Sequence, residues 1–264
     1  MPFNTARYHA ARRSRTTGAE VVHVEETAST MDDARAGAEA GHPPGTAYVA
    51  AAQSAGRGRL GRSWVSEPGA GLWVTYHLRL SEGVPPERAP LLSVAGALAV
   101  ADAIEGITGL TCDLKWPNDV QHAGRKVCGV LAESRAGVGG FDVFLGIGVN
   151  LRTPEGLPPE VAALATSIEQ EGRPAPSREV LLGALSTALE ARAEQAQREP
   201  SMLIADWRAR LVTLGRRVRL ALPGDRTVEG EAVDVTDLGE LVIEADGERR
   251  AYSAGDVTST RPVA

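Results

Sequence analysis

A strictly alternating segment near the middle of the chain constrains the fold most. Phe141, Val143, Leu145, Ile147 and Val149 are separated by single residues, which is the period of a β-strand with one buried face. Such a strand must belong to a sheet whose apolar face is covered by another layer. Glycines separate the last of these apolar residues, and they leave room for a ligand at the end of the strand.

Two further segments have the helical period needed to cover this sheet. Apolar residues recur at helical spacing from Leu91 to Ala103 and from Val180 to Leu189, the second run following Ser177 as a predicted N-cap. A third helix is predicted to follow a cap at Ser29 or Thr30. Further strands are predicted over residues 21–24, 48–52, 72–80 and 127–131.

The chain changes character near residue 213. Short β-rich runs separated by turn pairs follow, and Asp246-Gly247 predicts a two-residue hairpin turn. We therefore predict an α+β protein with three parts: a flexible tail (1–20), a catalytic domain built on a mixed sheet with packed helices (21–212) and a small β-barrel (213–264).

Composition excludes several classes of protein. The net charge is −6, so no global basic field favours nucleic acid, and hydrophobic and charged residues make up 43% and 23% of the chain. The apolar stretch Leu91–Ile104 is interrupted by Asp102 and is too short to span a bilayer. The arginines near the N-terminus are not followed by an apolar signal segment. Cys112 and Cys128 lie in no metal or redox motif, so we expect a cytoplasmic protein.

The segment Gly56–Trp64, which reads GRGRLGRSW, predicts an anion-binding loop. Its glycines allow close backbone approach to a ligand, and its arginines are planar donors to phosphate or carboxylate. We expect these arginines to lack protein partners until an anionic ligand arrives, which would leave the free loop mobile. On these residues alone a solvated flexible loop remains an alternative.

A second group of polar residues surrounds Pro117, which restricts the backbone on both sides of the turn. Lys115 can supply a charge for phosphate, Asn118 can read an adenine edge, and Asp119 can orient a partner or a metal. Taken singly, each is more often a surface residue.

Several strings in this order together resemble the catalytic domain of biotin protein ligases. They are ETASTM (26–31), GRGRLGRSW (56–64), KWPNDV (115–120), KVCGVLAE (126–133) and GIGVN (146–150), with Gln53 and the ATSI string at 165–168 also matching. The resemblance covers nearly the whole chain from Val21, and it implies that the closing β segment is an SH3-like domain.

The resemblance implies roles for individual residues. Ser29, Thr30 and Gln53 would bind the ureido head of biotin. The other biotin-binding residues would be Gly56, Arg57, Gly58 and Arg59 in a covering loop, Lys126 at the carboxylate, and Gly129, Gly146 and Gly148 as backbone lining. The ATP and adenylate residues would be Arg59, Arg62, Trp64, Lys115, Asn118 and Asn150. Catalysis would depend on Lys115, Lys126, Arg57 and Arg59, and Mg²⁺ would accompany ATP with Asp119 as a possible ligand.

The implied reaction forms biotinyl-5′-AMP and then biotinylates a lysine of a biotin carboxyl carrier domain of an acyl-CoA carboxylase. Met31 and Leu60 depart from the family pattern, where asparagine and a basic residue are common, so neither side chain is assigned a ligand contact. Only about 20 residues precede the catalytic domain, so the resemblance is to the monofunctional type, without nucleic-acid or membrane partners, as a monomer or homodimer. Lipoate or octanoyl transferases and a biotin-sensing protein without turnover are the alternatives.

Overall fold

The structure, a computed structural model, describes residues 3–137, 140–154, 157–224 and 226–262. Seven strands form a mixed sheet in the larger domain: β1 (Val21–Thr27), β2 (Ala47–Gln53), β3 (Gly71–Arg79), β4 (Asp113–Lys115), β5 (Asp119–His122), β6 (Arg125–Gly137) and β7 (Gly140–Asn150). Their order is β1-β2-β3-β7-β6-β5-β4, in which β1 and β2 are parallel and the other neighbours are antiparallel. The alternating segment predicted as a strand is therefore central strand β7.

Helices cover both faces of this sheet. They are α1 (Thr5–Ala11), α2 (Thr30–Glu39), α3 (Ala89–Thr108), α4 (Pro159–Ala162), α5 (Arg178–Arg198) and α6 (Pro200–Arg210). Gly96 of α3 lies against Leu145, whereas Met31 of α2 lies against Gly146. Because adjacent residues of a strand face opposite sides of the sheet, α3 and α2 cover opposite faces.

Helix α3 is longer than the sequence predicts. It runs through Asp102. The helical segment Pro86–Thr108, which contains α3, is long and apolar enough to cross a membrane by length and composition, but 67% of its most apolar 18 residues are buried inside the protein. Asp102 causes no break because its carboxylate accepts a 2.8 Å hydrogen bond from Arg192 of α5. In this fold α3 is the core helix packed between the sheet and α5.

The second domain is a five-stranded antiparallel sheet. Its strands are β8 (Arg216–Leu222), β9 (Arg226–Val235), β10 (Leu241–Ala245), β11 (Glu248–Tyr252) and β12 (Asp256–Pro262), in the order β11-β10-β9-β8-β12. The predicted two-residue hairpin turn is present: Asp246 and Gly247 have φ values of 52° and 76°, as a type I′ turn requires. The α+β class with an appended β domain is confirmed.

Trp116 joins the two domains. Its side chain is 1% exposed, its indole nitrogen donates to the Gly239 carbonyl at 3.0 Å, and its backbone nitrogen donates to Thr213 Oγ1 at 3.0 Å. Arg208 of α6 adds an ion pair of 2.7 Å with Asp234 of β9. The second domain is thus held against the strand that carries Lys115.

The expected flexible tail at residues 1–20 is wrong for the part of it that the structure describes. Tyr8 of α1 is fully buried, and its hydroxyl donates to the Gly18 carbonyl at 2.6 Å while contacting Ser186 Oγ at 3.1 Å. The α1 helix packs on α5. This basic, polar stretch is ordered because it bonds to α5. That helix lies more than 170 residues further along the chain.

Glu190 of α5 fastens this N-terminal segment. Its carboxylate accepts hydrogen bonds from the backbone nitrogens of Arg15 (2.7 Å), Thr16 (2.7 Å) and Thr17 (3.0 Å) and from the Thr16 hydroxyl (2.8 Å). Burial alone would raise the pKa of Glu190, but the hydrogen bonds outweigh it and lower the pKa to about 2.

Replacing Glu190 with glutamine should therefore lower the free energy of unfolding by about 1–2 kcal/mol at pH 7. A depressed pKa stabilises the fold above the ordinary value of 4.5, and that contribution is lost as the pH falls towards about 2. Urea unfolding should show the two proteins converging across this range. Glu194→Gln, on the same helix and paired with exposed Arg198, is the control and should stay within about 0.5 kcal/mol of wild type. A pH-independent difference for Glu190→Gln would contradict the assignment.

Candidate active site

One row of residues crosses five neighbouring strands and forms the floor of the site. Trp73 of β3 pairs with Gly148 of β7, Gly148 with Gly129 of β6, Gly129 with Asp119 of β5, and Asp119 with Lys115 of β4. Residues opposite each other in adjacent strands point to the same face. The two glycines therefore leave a groove between an indole on one side and charged side chains on the other.

A second row lies beside the first on the same face. Thr75, Gly146 and Leu131 are paired across β3, β7 and β6, each two residues from a member of the first row. The nearest atom to an added Cβ at Gly146 is the terminal methyl of Met31, at 2.9 Å. Met31 thus closes the groove from α2 with an apolar group, consistent with its having no predicted polar contact.

A directed chain of hydrogen bonds lies at the α2 end of the groove. Gln53 Oε1 accepts from the backbone nitrogen of Thr30 at 2.9 Å and from its hydroxyl at 3.1 Å. Since that hydroxyl proton is used, Thr30 Oγ1 accepts from the Thr75 hydroxyl at 2.8 Å. Gln53 Nε2 donates to Ser66 Oγ at 2.8 Å. The amide and hydroxyls expected to bind a polar ring are already oriented.

Ser29 fixes the start of this chain as the predicted cap of α2. Its hydroxyl accepts from the backbone nitrogen of Met31 at 3.3 Å, and its side chain is almost fully buried. The cap holds Thr30 at the first position of the helix, facing the groove. Thr75 and Ser66 belong to the same network and were not predicted. A polar residue at Thr75 inside an apolar strand was the available signal.

Trp64 lies in the groove itself. An added Cβ at Gly148 would come within 2.6 Å of its indole nitrogen, and one at Gly129 within 2.9 Å of its ring. The ring packs edge-on against Trp73 at 6.4 Å between centroids. Its indole nitrogen is buried without a hydrogen-bond partner among the described residues. An unpaired buried donor is costly, so this N–H group is available to a ligand in the groove.

Lys115 and Lys126 are the only lysines in the chain, and the fold brings them to the same end of the groove. Lys126 Nζ pairs with Asp119 at 2.6 Å and lies 5.1 Å from the centroid of the Trp64 ring. Lys115 makes no ion pair within the part of the chain that the structure describes. The site therefore presents one ammonium held by a carboxylate and one without an acidic partner.

The loop Gly56–Trp64 is a hairpin whose arginines are already paired. Arg57 donates to Asp32 of α2 at 2.5 Å, Arg59 donates to the Gly255 carbonyl at 3.1 Å, and Arg62 pairs with Asp256. The expectation that these arginines lack protein partners is wrong, because carboxylates and a carbonyl distant in sequence satisfy them. Burial lowers the pKa of Arg59, while nearby carboxylates oppose that shift.

Asn118 and Asn150 have different surroundings from those expected. The Asn118 amide donates to the Val130 carbonyl, and the Asn150 amide donates to the Thr166 carbonyl at 3.0 Å. Both side chains are 7% exposed, where an unpaired amide would be costly. Their NH₂ groups therefore join backbone segments in this structure instead of pointing freely towards a nucleotide.

Two cavities meet at the loop. One of about 540 Å³ lies beneath residues 55–63, and one of about 350 Å³ lies between the two domains beside Trp207 and Gly239. Both are lined by Arg59, Leu131 and Glu133. Arg59 thus separates the space under the loop from the space between the domains.

Replacing Gly148 with alanine should displace the Trp64 indole, since the new Cβ would lie 2.6 Å from its nitrogen. We expect a loss of about 1–3 kcal/mol in unfolding free energy and greater quenching of tryptophan emission by acrylamide. Trp73, Trp116 and Trp207 are each 1% exposed, so the change reports on Trp64. Gly146→Ala is the control, because the end of a flexible methionine can move aside. Unchanged quenching in Gly148→Ala would refute the placement of Trp64.

The two domains of this protein match two different family models. Residues 25–150 match the Biotin/lipoate A/B protein ligase family, and residues 213–258 match the Biotin protein ligase C terminal domain. The second match begins at the residue where the sequence predicts the β domain.

Relatives extend over most of the chain. The biotin–(acetyl-CoA-carboxylase) ligase of Mycobacterium tuberculosis is 38% identical over 243 residues, covering 90% of this chain and 88% of that protein. The corresponding ligase of Paracoccus denitrificans is 35% identical, covering 81% and 90%. A structure of biotin protein ligase from Aquifex aeolicus with biotin and ATP has a TM-score of 0.76 at 27% identity, covering 92% of this chain and 99% of that one. This chain belongs to the biotin protein ligase family.

Proposed function

We propose that this protein activates biotin with ATP and transfers it to a lysine of a biotin carboxyl carrier domain. The observation that carries the proposal is the glycine-floored groove, which ends at Lys115 and Lys126 and is reached by Trp64 from the arginine-rich hairpin. The names of the relatives point to acetyl-CoA carboxylase as the acceptor.

Recognition of biotin would use the oriented chain at the start of α2. The ureido ring carries a carbonyl and two N–H groups, all of which need partners once buried. Ser29, Thr30 and Gln53 supply hydroxyl and amide groups that are fixed before binding. Preorganised groups lose little freedom on binding, which favours affinity. The apolar part of biotin would then lie along Gly146 and Gly148, and it would displace the Trp64 ring, which lies over Gly148 in this structure.

Adenylate formation brings two anions together. A biotin carboxylate oxygen attacks the α-phosphorus of ATP, a new P–O bond forms, and pyrophosphate leaves with the electrons of the broken bond. Lys126 would meet the carboxylate, exchanging part of its contact with Asp119, and Lys115 would stabilise the charge developing on the α-phosphate. Lys115 is suited to this task because it makes no ion pair among the described residues.

The second step consumes the adenylate. The neutral ε-amine of the acceptor lysine attacks the acyl carbon, an amide forms, AMP leaves, and the nitrogen loses a proton. Because water would destroy the mixed anhydride, the hairpin must cover it between the two steps. Arg59, at the wall shared by both cavities, would contact the adenylate while remaining bonded to the second domain.

Mg²⁺ would bind as part of MgATP and would not be held by a set of protein ligands. Within the described residues no group of three metal-ligating side chains occurs, and Asp119, the candidate ligand, is paired with Lys126. Mg²⁺ commonly binds through substrate phosphates and few carboxylates, so the residues fit MgATP as the substrate better than a resident metal.

Both cysteines are buried free thiols, which supports a cytoplasmic location.

The direct test is to incubate the protein with biotin, MgATP and a purified biotin carboxyl carrier domain and to measure the carrier mass. We expect the mass to increase by one biotinyl group. Omission of ATP, or an acceptor lysine changed to arginine, should leave it unchanged. Lipoic acid in place of biotin tests the related transferase activity. An unmodified carrier in the complete reaction would refute the proposal.

Replacing the two lysines should impair different steps of the reaction. Lys115→Ala should reduce adenylate formation by roughly 10²–10³-fold, since it removes charge stabilisation in the transition state, while biotin affinity is largely kept. Lys126→Ala should weaken biotin binding itself, because it removes the carboxylate partner. Pyrophosphate release and calorimetric biotin titration separate these effects. Equal losses of biotin affinity would mean that the two roles are not distinct.

A further inference from the structure

The arginine-rich loop is a hairpin that a few backbone hydrogen bonds and two isolated bridges close at its base. Gln53 donates its backbone N–H to the Ser66 carbonyl at 3.1 Å, Trp64 donates to Gly56 at 2.8 Å, and Gly58 donates to Arg62 at 2.7 Å. Contacts of side chains beyond this base must therefore determine where the tip of the hairpin lies over the groove.

Asp32 makes one such contact from inside the larger domain. It lies in the first turn of α2, just after the capping residue Ser29, and its Oδ1 atom accepts from Arg57 at 2.5 Å. A carboxylate is favoured at this end of a helix, so Asp32 is held in position independently of the hairpin. Through this contact, the turn that carries Ser29 and Thr30 is joined directly to the loop.

The contact belongs to a chain of alternating charges. Arg35, one turn further along α2, lies 3.9 Å from Asp32 and also pairs with Glu133 of β6. Glu133 and the hairpin line the same cavity of about 540 Å³. The sequence Arg57, Asp32, Arg35 and Glu133 therefore links the hairpin, α2 and the rim of the sheet around one cavity.

We propose that Asp32 is a positioning residue that holds the hairpin over the biotin site through Arg57. The identity of the ligand rests on the proposed function, whereas the contact belongs to the chain itself. The side chains of Asp32 and Arg57 are 51% and 37% exposed, so solvent and salt screen the pair. A weak, salt-sensitive tether closes the hairpin and still releases it in every catalytic cycle.

The first test needs no ligand. Trypsin cleaves after arginine, so its rate of cutting at Arg57, Arg59 and Arg62 reports how often the hairpin leaves its position. Asp32→Asn should be cut about two- to five-fold faster than wild type at low ionic strength, the factor expected for one exposed ion pair. Raising ionic strength until the Debye length falls from about 10 Å to about 3 Å should bring wild type towards the variant. The rate at which trypsin cleaves a short arginine-containing peptide, measured at each ionic strength, corrects for the effect of salt on trypsin itself.

Two variants separate this role from a general effect on α2. Glu39→Gln removes another carboxylate from the same helix, one that pairs with Arg135 and not with the loop, and should behave as wild type. Asp32→Glu keeps the charge and should restore most of the protection. Equal cleavage of Asp32→Asn and wild type at low ionic strength, or an equal effect of Glu39→Gln, would overturn the proposal.

The second test measures release of preformed biotinyl-adenylate. Asp32→Asn should release it about two- to five-fold faster, with less dependence on salt than wild type. If the wild-type protein formed no adenylate, the proposed function would fail, and the tryptic comparison would still decide the role of Asp32. Faster cleavage without faster release would overturn the claim that the tether holds the hairpin over the ligand.

Discussion

The absence of two side chains is the constraint on which the site depends. Gly129 and Gly148 face each other across β6 and β7, and in this structure the space above them is taken by the Trp64 ring. A Cβ at either position would collide with that ring. Because both glycines lie in central strands, the groove is as rigid as the sheet, and the charges at its end also lie on strands, at Lys115, Asp119 and Lys126. The geometry of the floor thus comes from backbone pairing between neighbouring strands.

Sequence reasoning succeeded where the information is local. The alternation around Leu145, the cap at Ser29 and the Asp246-Gly247 turn are short-range patterns, and the strings around Lys115 and Lys126 carried the family resemblance. Side-chain partners were not predictable in the same way. Arg57 meets an aspartate 25 positions away, and Tyr8 meets a serine 178 positions away, so neither contact leaves a local signal.

The arginines of the loop show why this difference matters. From their sequence they are charges awaiting an anion, yet in the structure each already has an oxygen partner in α2 or in the second domain. Ligand binding is therefore an exchange of partners, and the free energy gained is a difference between two sets of contacts. This arrangement makes the second domain part of the cover, through Gly255 and Asp256, although it contributes nothing to the groove floor.

The placement of the lysines has a chemical consequence beyond the pocket. Apart from Lys115 and Lys126, the basic side chains that are charged at neutral pH are all arginines. Guanidinium groups are poor nucleophiles because they stay protonated. Lys115 and Lys126 are the only lysines in the sequence, so an acyl adenylate that escapes from the site meets no lysine ε-amine elsewhere on the protein. Self-biotinylation on lysine is thereby confined to the two side chains that bind the reacting anions.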